Sequence, residues 1–351
     1  MTFTISVRNK EKYFESIEVL DPYTYANKKR VVKQLTEFCM SKFKQSDEEI
    51  ISELLKQKPN EMITNTCDLL QQWVNHFSKK LSPRSLVIYL SNLRTYLNYR
   101  GIKLSTTDMK SLNLPRQIIE EKYPLSKDEI KQIMDNCKYR RKVLYLTLSS
   151  SLMRIGEACQ LRKKDFDTTT KRITIHIPAK IAKFKKSRIT FASDEARPYL
   201  MKRLNEIEDN DLVFGTNENK QLAKQNEIYS FEKLIDKIFP KLEKYASRTR
   251  KITLHSFRAY GITKAVRTVG DSFACILAGQ KGYLSMYKRF TDEEKLEDYL
   301  KLEPELFIFK ESSLSDQSKD KEIEELKLEM KNMKTMVTSI FGKKSRKNNS
   351  E

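Results

Sequence analysis

Apolar residues in the first hundred positions recur at intervals of three and four, which is the spacing of helices with one buried face. Four segments carry this pattern, namely residues 22–44, 47–57, 62–79 and 83–100. We therefore predict a helical domain over residues 21–104. Residues 1–20 are predicted to form a short polar arm before it.

The fourth segment has the clearest helical signals. Its apolar stripe consists of Leu86, Leu90, Leu93 and Leu97. Ser82 can cap the helix, and Pro83 suits the first helical position. Arg84 and Arg94 lie off the stripe, on a face that could follow a chain of phosphates or could simply be solvated.

A second pattern begins after residues 105–125, which lack periodicity and contain Pro115 and Pro124. We predict a linker there. Ser126 and Glu129 then have the spacing of a capping box, which indicates the start of a helix. Residues 143–152 are apolar nearly all round, as expected of a buried helix.

The period then changes from that of a helix to that of a strand. Ile173, Ile175 and Ile177 alternate with polar residues, and Ile189 and Phe191 begin a second alternation. The lysine-rich residues between them are predicted to form the tip of a hairpin. Further helices are predicted near residues 194–208, 226–247, 256–269 and 271–278. The predicted fold class is mainly α with a small antiparallel β-sheet (α+β), the sheet lying in a second domain over residues 126–300.

Residues 301–351 are predicted to form a tail with a heptad helix near residues 321–341. Its apolar residues follow a 3-4-3-4 spacing, at Ile323, Leu326, Met330, Met333, Val337 and Ile340. The pattern lasts for fewer than three full heptads. The segment therefore either pairs as a coiled coil or docks on its own domain.

The charge balance narrows the choice of partner. Lys and Arg number 67 against 47 Asp and Glu, which gives a formal net charge of +20. Such an excess favours a polyanion, either nucleic acid or an anionic membrane, although a lysine-biased genome would give the same composition. No apolar run approaches the roughly 18 residues of a membrane span, and the first residues lack the apolar stretch of a signal peptide. We therefore expect a cytoplasmic protein with no membrane partner.

Cysteine and histidine usage argues against a metal site. The five cysteines are scattered and form no C-x-x-C pair, and there are three histidines. A structural zinc site or a disulfide framework is therefore not expected.

Four local signals that could carry chemistry occur in a fixed order. They are Arg154-Ile155-Gly156-Glu157, the lysine-rich hairpin tip, His255-Ser256-Phe257-Arg258 and Tyr287. Each has an ordinary structural explanation when taken alone. Arg154 and Glu157 could form a surface salt bridge, the lysines a solvated turn and the histidine part of a core, and Tyr287 is one of 16 tyrosines.

Together, and in this order, the four signals resemble the tyrosine recombinase (phage-type integrase) family. The family signature is an arginine in an R-x-G-E-like motif, a hairpin lysine, an H-x-x-R pair, a histidine or tryptophan, and a C-terminal tyrosine. Residues 21–104 are similar to its core-binding domain and residues 126–300 to its catalytic domain. The resemblance implies a two-domain DNA clamp.

The resemblance also implies a function. It is that of a site-specific DNA recombinase or integrase, which breaks and rejoins double-stranded DNA through a 3′-phosphotyrosyl intermediate. Such a protein would be nucleoid-associated and would act as a homo-oligomer, a tetramer in the synapse. A mobile element is the expected source. The alternative within the family is a chromosome or plasmid dimer resolvase.

Roles in this chemistry follow from the resemblance. Arg154 and Arg258 would hold the non-bridging oxygens of the scissile phosphate through charge-assisted bonds. His255 would carry a proton near neutral pH. Tyr287 would be the nucleophile, and it needs help to ionise because the pKa of a free tyrosine is about 10. Glu157 would orient Arg154.

The general acid would be a lysine of the hairpin. Aligning Lys186-Ser187-Arg188-Ile189 with the returning strand of family members gives Lys183 this role. Lys180, Lys185 and Lys186 remain alternatives, and they are otherwise expected to contact DNA. Gly156 is expected to permit close helix packing.

The chain departs from the family pattern just before the tyrosine. Leu277-Ala278-Gly279-Gln280 stands where the family has L-G-H, so Gln280 takes the histidine or tryptophan position. An amide can donate a hydrogen bond to a phosphate oxygen but cannot shuttle a proton. Tyr283 is a rival nucleophile. Tyr287 is preferred because Met286-Tyr287-Lys288-Arg289-Phe290 is more similar to the family segment.

Two other classes of function remain open. One is a catalytically inactive DNA-binding protein with a coiled-coil tail, and the other is a coiled-coil interaction protein with a basic surface. No cofactor is expected. A phosphotyrosyl bond conserves the energy of the broken phosphodiester, and the sequence contains neither a G-x-x-x-x-G-K-[ST] run nor carboxylates at convincing metal spacing.

Overall fold

The computed structural model describes residues 8–247, 249–280 and 289–309. The chain divides into two compact units, with the boundary between Glu120 and Glu121. Each unit has its own hydrophobic core among these residues. The first unit is helical and the second combines helices with a small sheet.

The first unit contains six helices among its described residues. They are α1 (Lys10–Ser16), α2 (Pro22–Phe43), α3 (Asp47–Leu54), α4 (Pro59–Phe77), α5 (Pro83–Arg100) and α6 (Thr106–Lys110). The stripe predicted for α5 is confirmed, because all four of its leucines are buried. The Ser82 hydroxyl accepts the Ser85 N–H at 3.2 Å, and Gly101 ends the helix at a φ of +105°.

The predicted polar arm is wrong for part of its length. Residues 10–16 form α1, and Tyr13 and Ile17 are buried in the core of the first unit. The buried carboxylate of Asp47 anchors α1 further. It accepts hydrogen bonds from the Lys10 ammonium at 2.6 Å and from the Tyr96 hydroxyl at 2.9 Å. A paired, hydrogen-bonded charge of this kind can be buried where a lone one could not.

The predicted linker is also partly wrong. It contains α6, and Leu112 is buried in the core of the first unit. At its other end, Leu125 belongs to the core of the second unit. The boundary between the units lies inside the predicted linker, in the stretch 113–124, which has no helix or strand and is mostly exposed.

Besides a short 3₁₀ helix at Lys163–Asp165, the second unit contains eight α-helices and three strands among the described residues. They are α7 (Lys127–Asp135), α8 (Tyr139–Ser151), α9 (Ile155–Ala158), β1 (Phe166–Asp167), β2 (Ile173–Ile177), β3 (Arg188–Ala192), α10 (Arg197–Asn205), α11 (Lys220–Ile238), α12 (Leu254–Thr268), α13 (Asp271–Ala278) and α14 (Asp292–Leu306). The sheet is antiparallel in the order β1-β2-β3. Ile175 pairs with Phe166 on one side and with Thr190 on the other. The predicted fold class is thus confirmed.

Helix α8 lies at the centre of this unit. Residues 143–151 are all buried, as its all-round apolar pattern predicts. Helix α12 packs closely on α8 at Gly261, where an added Cβ would lie 2.7 Å from the Ser149 carbonyl oxygen. This approach places the first turns of α12 beside the end of α8.

Three predicted boundaries in the second unit are wrong, namely both ends of one helix and the end of the unit itself. Helix α11 begins six residues before the predicted start and ends at Ile238, well before residue 247. The second unit also continues past residue 300, because α14 runs to Leu306 and Ile308 is buried. The buried Glu195 carboxylate accepts the backbone N–H groups of Ile308 and Phe309 at 2.8 and 2.6 Å. The predicted heptad helix lies outside the described residues.

None of the helices among the described residues is both long enough and apolar enough to cross a membrane.

Candidate active site

Three of the predicted site residues lie at the ends of helices. Arg154 is the N-cap residue of α9, and His255 and Arg258 lie in the first turns of α12. Leu152, at the end of α8, has a left-handed φ of +55°. Its carbonyl oxygen accepts a hydrogen bond from Arg258 Nη1, so the arginine holds the turn that leads into Arg154.

The two arginines meet at one oxygen atom. Arg154 Nη1 lies 3.4 Å and Arg258 Nη2 lies 2.7 Å from the Ala278 carbonyl oxygen, and Arg154 Nη2 donates to the Gly279 carbonyl at 3.1 Å. These carbonyls end α13 and have no partners within their helix, so cationic donors are favoured there. The side chains of Arg154 and Arg258 are thus brought together.

Burial distinguishes the two arginines. Arg258 is 2% exposed, whereas the side chain of Arg154 is 20% exposed. Burial, with the charge of Arg154, lowers the pKa of Arg258 to about 10, and the guanidinium remains cationic at neutral pH. Among the described residues, the buried Arg258 Nε has no hydrogen-bond partner.

His255 lies beside these cations. The residue is exposed overall, but partial loss of water around its ring is the largest cause that lowers its pKa. The charges of Arg258, Arg154 and Lys183 lower it further. Neutral His255 is therefore the favoured form near neutral pH, and a neutral imidazole can accept a proton.

Glu157 occupies the centre of the cluster and is 1% exposed. Its carboxylate accepts the Arg154 backbone N–H at 3.0 Å and Arg154 Nη1 at 3.2 Å. Burial alone would raise the pKa of Glu157, but hydrogen bonds and charges, first from Arg188 and then from Arg154, outweigh burial and lower it. The carboxylate is therefore ionised at neutral pH and lies in contact with Arg154.

Arg188 is a site residue to which sequence reasoning gave no role. It begins β3, and its guanidinium forms a two-atom ion pair with Glu157 at 2.6 and 3.3 Å. Its Nε donates to the Leu277 carbonyl at 3.1 Å. One signal could have indicated it. Arg188 is the one charged residue of its short strand and shares a strand face with Thr190. If that face is covered, the buried charge of Arg188 needs a specific partner.

The lysine-rich loop between β2 and β3 is anchored to the same cluster. Ala182 is buried, and the Lys183 backbone N–H lies 3.4 Å from Glu157 Oε1. Lys220, on α11, donates to the Ile181 carbonyl at 2.6 Å. The Lys183 ammonium is exposed and close enough to His255 to lower its pKa. Lys185 instead donates to the Lys180 carbonyl of its own loop at 3.2 Å.

The remaining predicted residues are placed as follows. Gln280 is exposed, and its backbone N–H donates to the Cys275 carbonyl at 2.9 Å. Tyr287 and its rival Tyr283 lie outside the described residues. Lys186 is exposed.

In the first unit, Arg84 is exposed, whereas Arg94 Nε donates to the Leu104 carbonyl at 2.9 Å. Part of the Arg94 guanidinium therefore holds its own unit together.

The expectation for Gly156 is wrong. A Cβ at this position would lie 3.5 Å from Lys220 Cε and 3.7 Å from Lys224 Cδ, which are ordinary contacts. Close helix packing therefore does not require glycine here. It does require glycine at Gly261.

Comparisons with known proteins match the part of the chain that carries this cluster. Residues 124–271 match the phage integrase family model, and this stretch contains Arg154, Lys183, His255 and Arg258. The tyrosine recombinase XerA of Thermococcus kodakarensis is 27% identical over 134 residues, which are 36% of this chain and 45% of XerA. The match thus spans about half the length of that relative.

Solved structures show the same fold. The integrase of the Tn1549 transposon, in complex with transposon right end DNA, superposes with a TM-score of 0.56 at 13% identity, over 83% of this chain and 97% of that chain. A lambda integrase dimer bound to a COC′ core site gives a TM-score of 0.55 at 13% identity, over 82% and 93%. The chain has the fold of the tyrosine recombinases, and its second unit contains a phage integrase family domain.

Proposed function

We propose that this chain is a site-specific DNA recombinase that cuts and rejoins double-stranded DNA through a transient covalent bond to Tyr287. The observation that carries the proposal is the meeting of Arg154 and Arg258 at one oxygen atom, beside His255, within a phage integrase family domain. Two guanidinium groups in this arrangement suit the non-bridging oxygens of one phosphate. The Tn1549 integrase, which has a similar fold, is bound to transposon right end DNA, and the lambda integrase dimer is bound to a core site.

The proposed chemistry is a transesterification. Tyr287 loses its proton to His255, and its oxygen attacks the scissile phosphorus. The bond from phosphorus to the 5′-oxygen breaks, and that oxygen takes a proton from the Lys183 ammonium. The arginines stabilise the charge that develops on the non-bridging oxygens, which is usually the largest contribution to catalysis of this kind. Reversal by the 5′-hydroxyl of another strand rejoins the DNA.

The number of DNA strands cut during strand exchange determines how many copies of the chain are needed. Exchange between two duplexes requires four strands to be cut, and each copy of the chain would supply one Tyr287. We therefore infer a homo-oligomer that reaches four copies in the synapse. A mobile element is the proposed setting, since one of the integrases of similar fold belongs to a transposon.

Covalent capture tests the proposal. A randomised pool of nicked suicide duplexes is incubated with the protein, and DNA that becomes linked to protein is recovered and sequenced to define a substrate. On that substrate, Tyr287→Phe should form no adduct, whereas the matched variant Tyr283→Phe should form it normally. Failure of the wild type to capture any DNA, or an adduct with Tyr287→Phe, would contradict the proposal.

The role of Lys183 can be tested with the same substrate. Lys183→Ala should slow adduct formation by about 10²–10⁴-fold, the usual contribution of a general acid. A 5′-thiolate leaving group needs no proton, so a substrate with bridging sulfur should restore the rate. Lys186→Ala serves as the control from the same loop and should need no such rescue. A slow Lys183→Ala rate with both leaving groups would move the role to another lysine.

A further inference from the structure

We propose that Arg188 is a positioning residue, which neutralises Glu157 and so spares Arg154 from being the carboxylate's main partner when it binds the scissile phosphate. The phosphate as ligand rests on the proposed function. The assignment of Arg188 itself rests on the contacts around Glu157.

The two arginines hold Glu157 unequally. Arg188 contacts both carboxylate oxygens, at 2.6 and 3.3 Å, whereas the side chain of Arg154 contacts one oxygen at 3.2 Å. The Arg188 side chain is 10% exposed and that of Arg154 is 20% exposed. A two-atom, charge-assisted pair is the stronger interaction. Arg188 is thus the principal partner of this carboxylate, and Arg154 is a secondary one.

Arg188 is also fixed in place on its other side. Its Nε donates to the Leu277 carbonyl, and the backbone of Gly279 packs against its guanidinium. A Cβ at Gly279 would lie 2.7 Å from three guanidinium atoms of Arg188. All three nitrogen atoms of this guanidinium therefore have partners within the protein, which leaves Arg188 poorly placed to bind substrate itself.

The consequence for Arg154 follows from charge. Glu157 is 1% exposed, and an uncompensated buried carboxylate is strongly unfavourable. Without Arg188, Arg154 would be the remaining guanidinium among the hydrogen-bond partners of Glu157. To contact a phosphate, Arg154 would then have to leave a buried negative charge without a guanidinium partner. Arg188 removes this competition.

A double-mutant cycle on anion binding tests the inference without requiring catalysis. The probe is inorganic phosphate, titrated into the full chain and followed by ³¹P NMR. Arg188→Met should weaken phosphate binding about tenfold, the size of one charge-assisted contact. In the Glu157→Gln chain the same substitution should change the affinity less than about twofold, because no carboxylate remains to capture Arg154.

Matched variants control for folding and for total charge. Arg172 forms a similar buried two-atom pair with Glu303, at 2.7 and 2.8 Å, and Arg172→Met should lower the melting temperature without changing phosphate binding. Arg188→Lys keeps the positive charge and should retain most of the affinity. If Arg188→Met does not fold, Arg188→Gln replaces it in both backgrounds, and the difference between the two losses of affinity decides.

Three results would overturn the inference: wild-type protein that binds no phosphate, wild-type affinity in a folded Arg188→Met, or an equal loss with and without Glu157. The last result would mean that Arg188 binds the anion itself. Adduct formation is measured in parallel. If the affinities follow the cycle but the wild type forms no adduct, the proposed function fails and the role of Arg188 stands. If the wild type forms the adduct but the affinities do not follow the cycle, the proposed function stands and the role of Arg188 fails.

Discussion

The protonation state of His255 is set in part by the charges of its neighbours. Three cations, Arg154, Arg258 and Lys183, add to the effect of lost hydration, and all of them favour the neutral imidazole. A carboxylate partner would have had the opposite effect. Glu157, the carboxylate of the cluster, hydrogen-bonds with Arg154, Arg188 and the Lys183 backbone, and it is not among the groups that shift the pKa of His255.

The lowered pKa of His255 predicts where the rate of adduct formation falls off on the acid side of its pH profile. If neutral His255 takes the proton of Tyr287, the rate of adduct formation should rise with pH through the His255 pKa and level off. Because that pKa is below the ordinary 6.5, the limb should be centred below pH 6.5. Rates at subsaturating protein are the correct measurement, since they report the free protein.

His255→Gln provides the control for this pH profile. A glutamine does not titrate, so the variant should be slower and should lose the limb. A limb centred above pH 6.5 in the wild type, or an unchanged limb in the variant, would show that another group carries the proton.

Residue types and their order could predict Arg154, His255 and Arg258, because each lies in a short motif. They could not predict Arg188. Its partners are Glu157, Leu277 and Gly279, which are distant in sequence, and only folding brings them together. The expectation for Gly156 failed for a related reason. A glycine in a motif does not reveal what surrounds it, and here the space is sufficient for a Cβ.

At the scale of elements, the packing of α12 on α8 places Arg258 against the end of α8. Gly261 permits this approach, since an added Cβ would lie 2.7 Å from the Ser149 carbonyl oxygen and 2.9 Å from Leu152 Cδ1. The Ser149 carbonyl is part of the α8 backbone, so it can make room for an added Cβ only if the two helices move apart. The position of Arg258 is therefore sensitive to one methyl group one turn further along the same face of its helix.

We expect Gly261→Ala to destabilise the protein by about 1–3 kcal/mol, the usual cost of overpacking a core, and to slow adduct formation. Gly156→Ala is the matched control. It adds the same methyl group to α9 with ordinary contacts, so its stability should be unchanged or slightly higher. Urea unfolding followed by circular dichroism measures both. Equal stability of the two variants would show that α8 and α12 adjust to the extra methyl group.

The elements that sequence can predict are those with several turns and a cap. Helix α5 has a serine cap, a first-turn proline, a full apolar stripe and a terminal glycine, and its observed bounds agree with the predicted ones. Helix α1 has seven residues, too few for a periodic pattern, and long-range contacts of Tyr13 and Lys10 hold it in place. The first turns of α11 are mostly polar and carry an exposed Leu222, so periodicity does not show where this helix begins.

At the scale of the whole molecule, the described residues of the two units have separate hydrophobic cores, one cluster in the first unit and two clusters in the second. The single tryptophan, Trp73, is fully buried in the core of the first unit. Its fluorescence therefore reports the folding of that unit, whereas far-ultraviolet circular dichroism reports helices in both. Composition and periodicity indicate two domains, but the extent of each is set by short segments, α6 and residues 307–309, that show little periodicity of their own.

Matching leucine-to-alanine substitutions in the two cores should show whether the two units unfold independently. Leu35 and Leu200 are fully buried in the first and second core, and neither position is part of the candidate site. Each leucine-to-alanine change should cost about 3 kcal/mol. Because the cores are separate, Leu35→Ala should lower the urea midpoint of Trp73 fluorescence, whereas Leu200→Ala should leave it unchanged and lower the midpoint of part of the dichroism signal. Equal shifts of the fluorescence midpoint in both variants would mean that the two cores unfold as one cooperative unit.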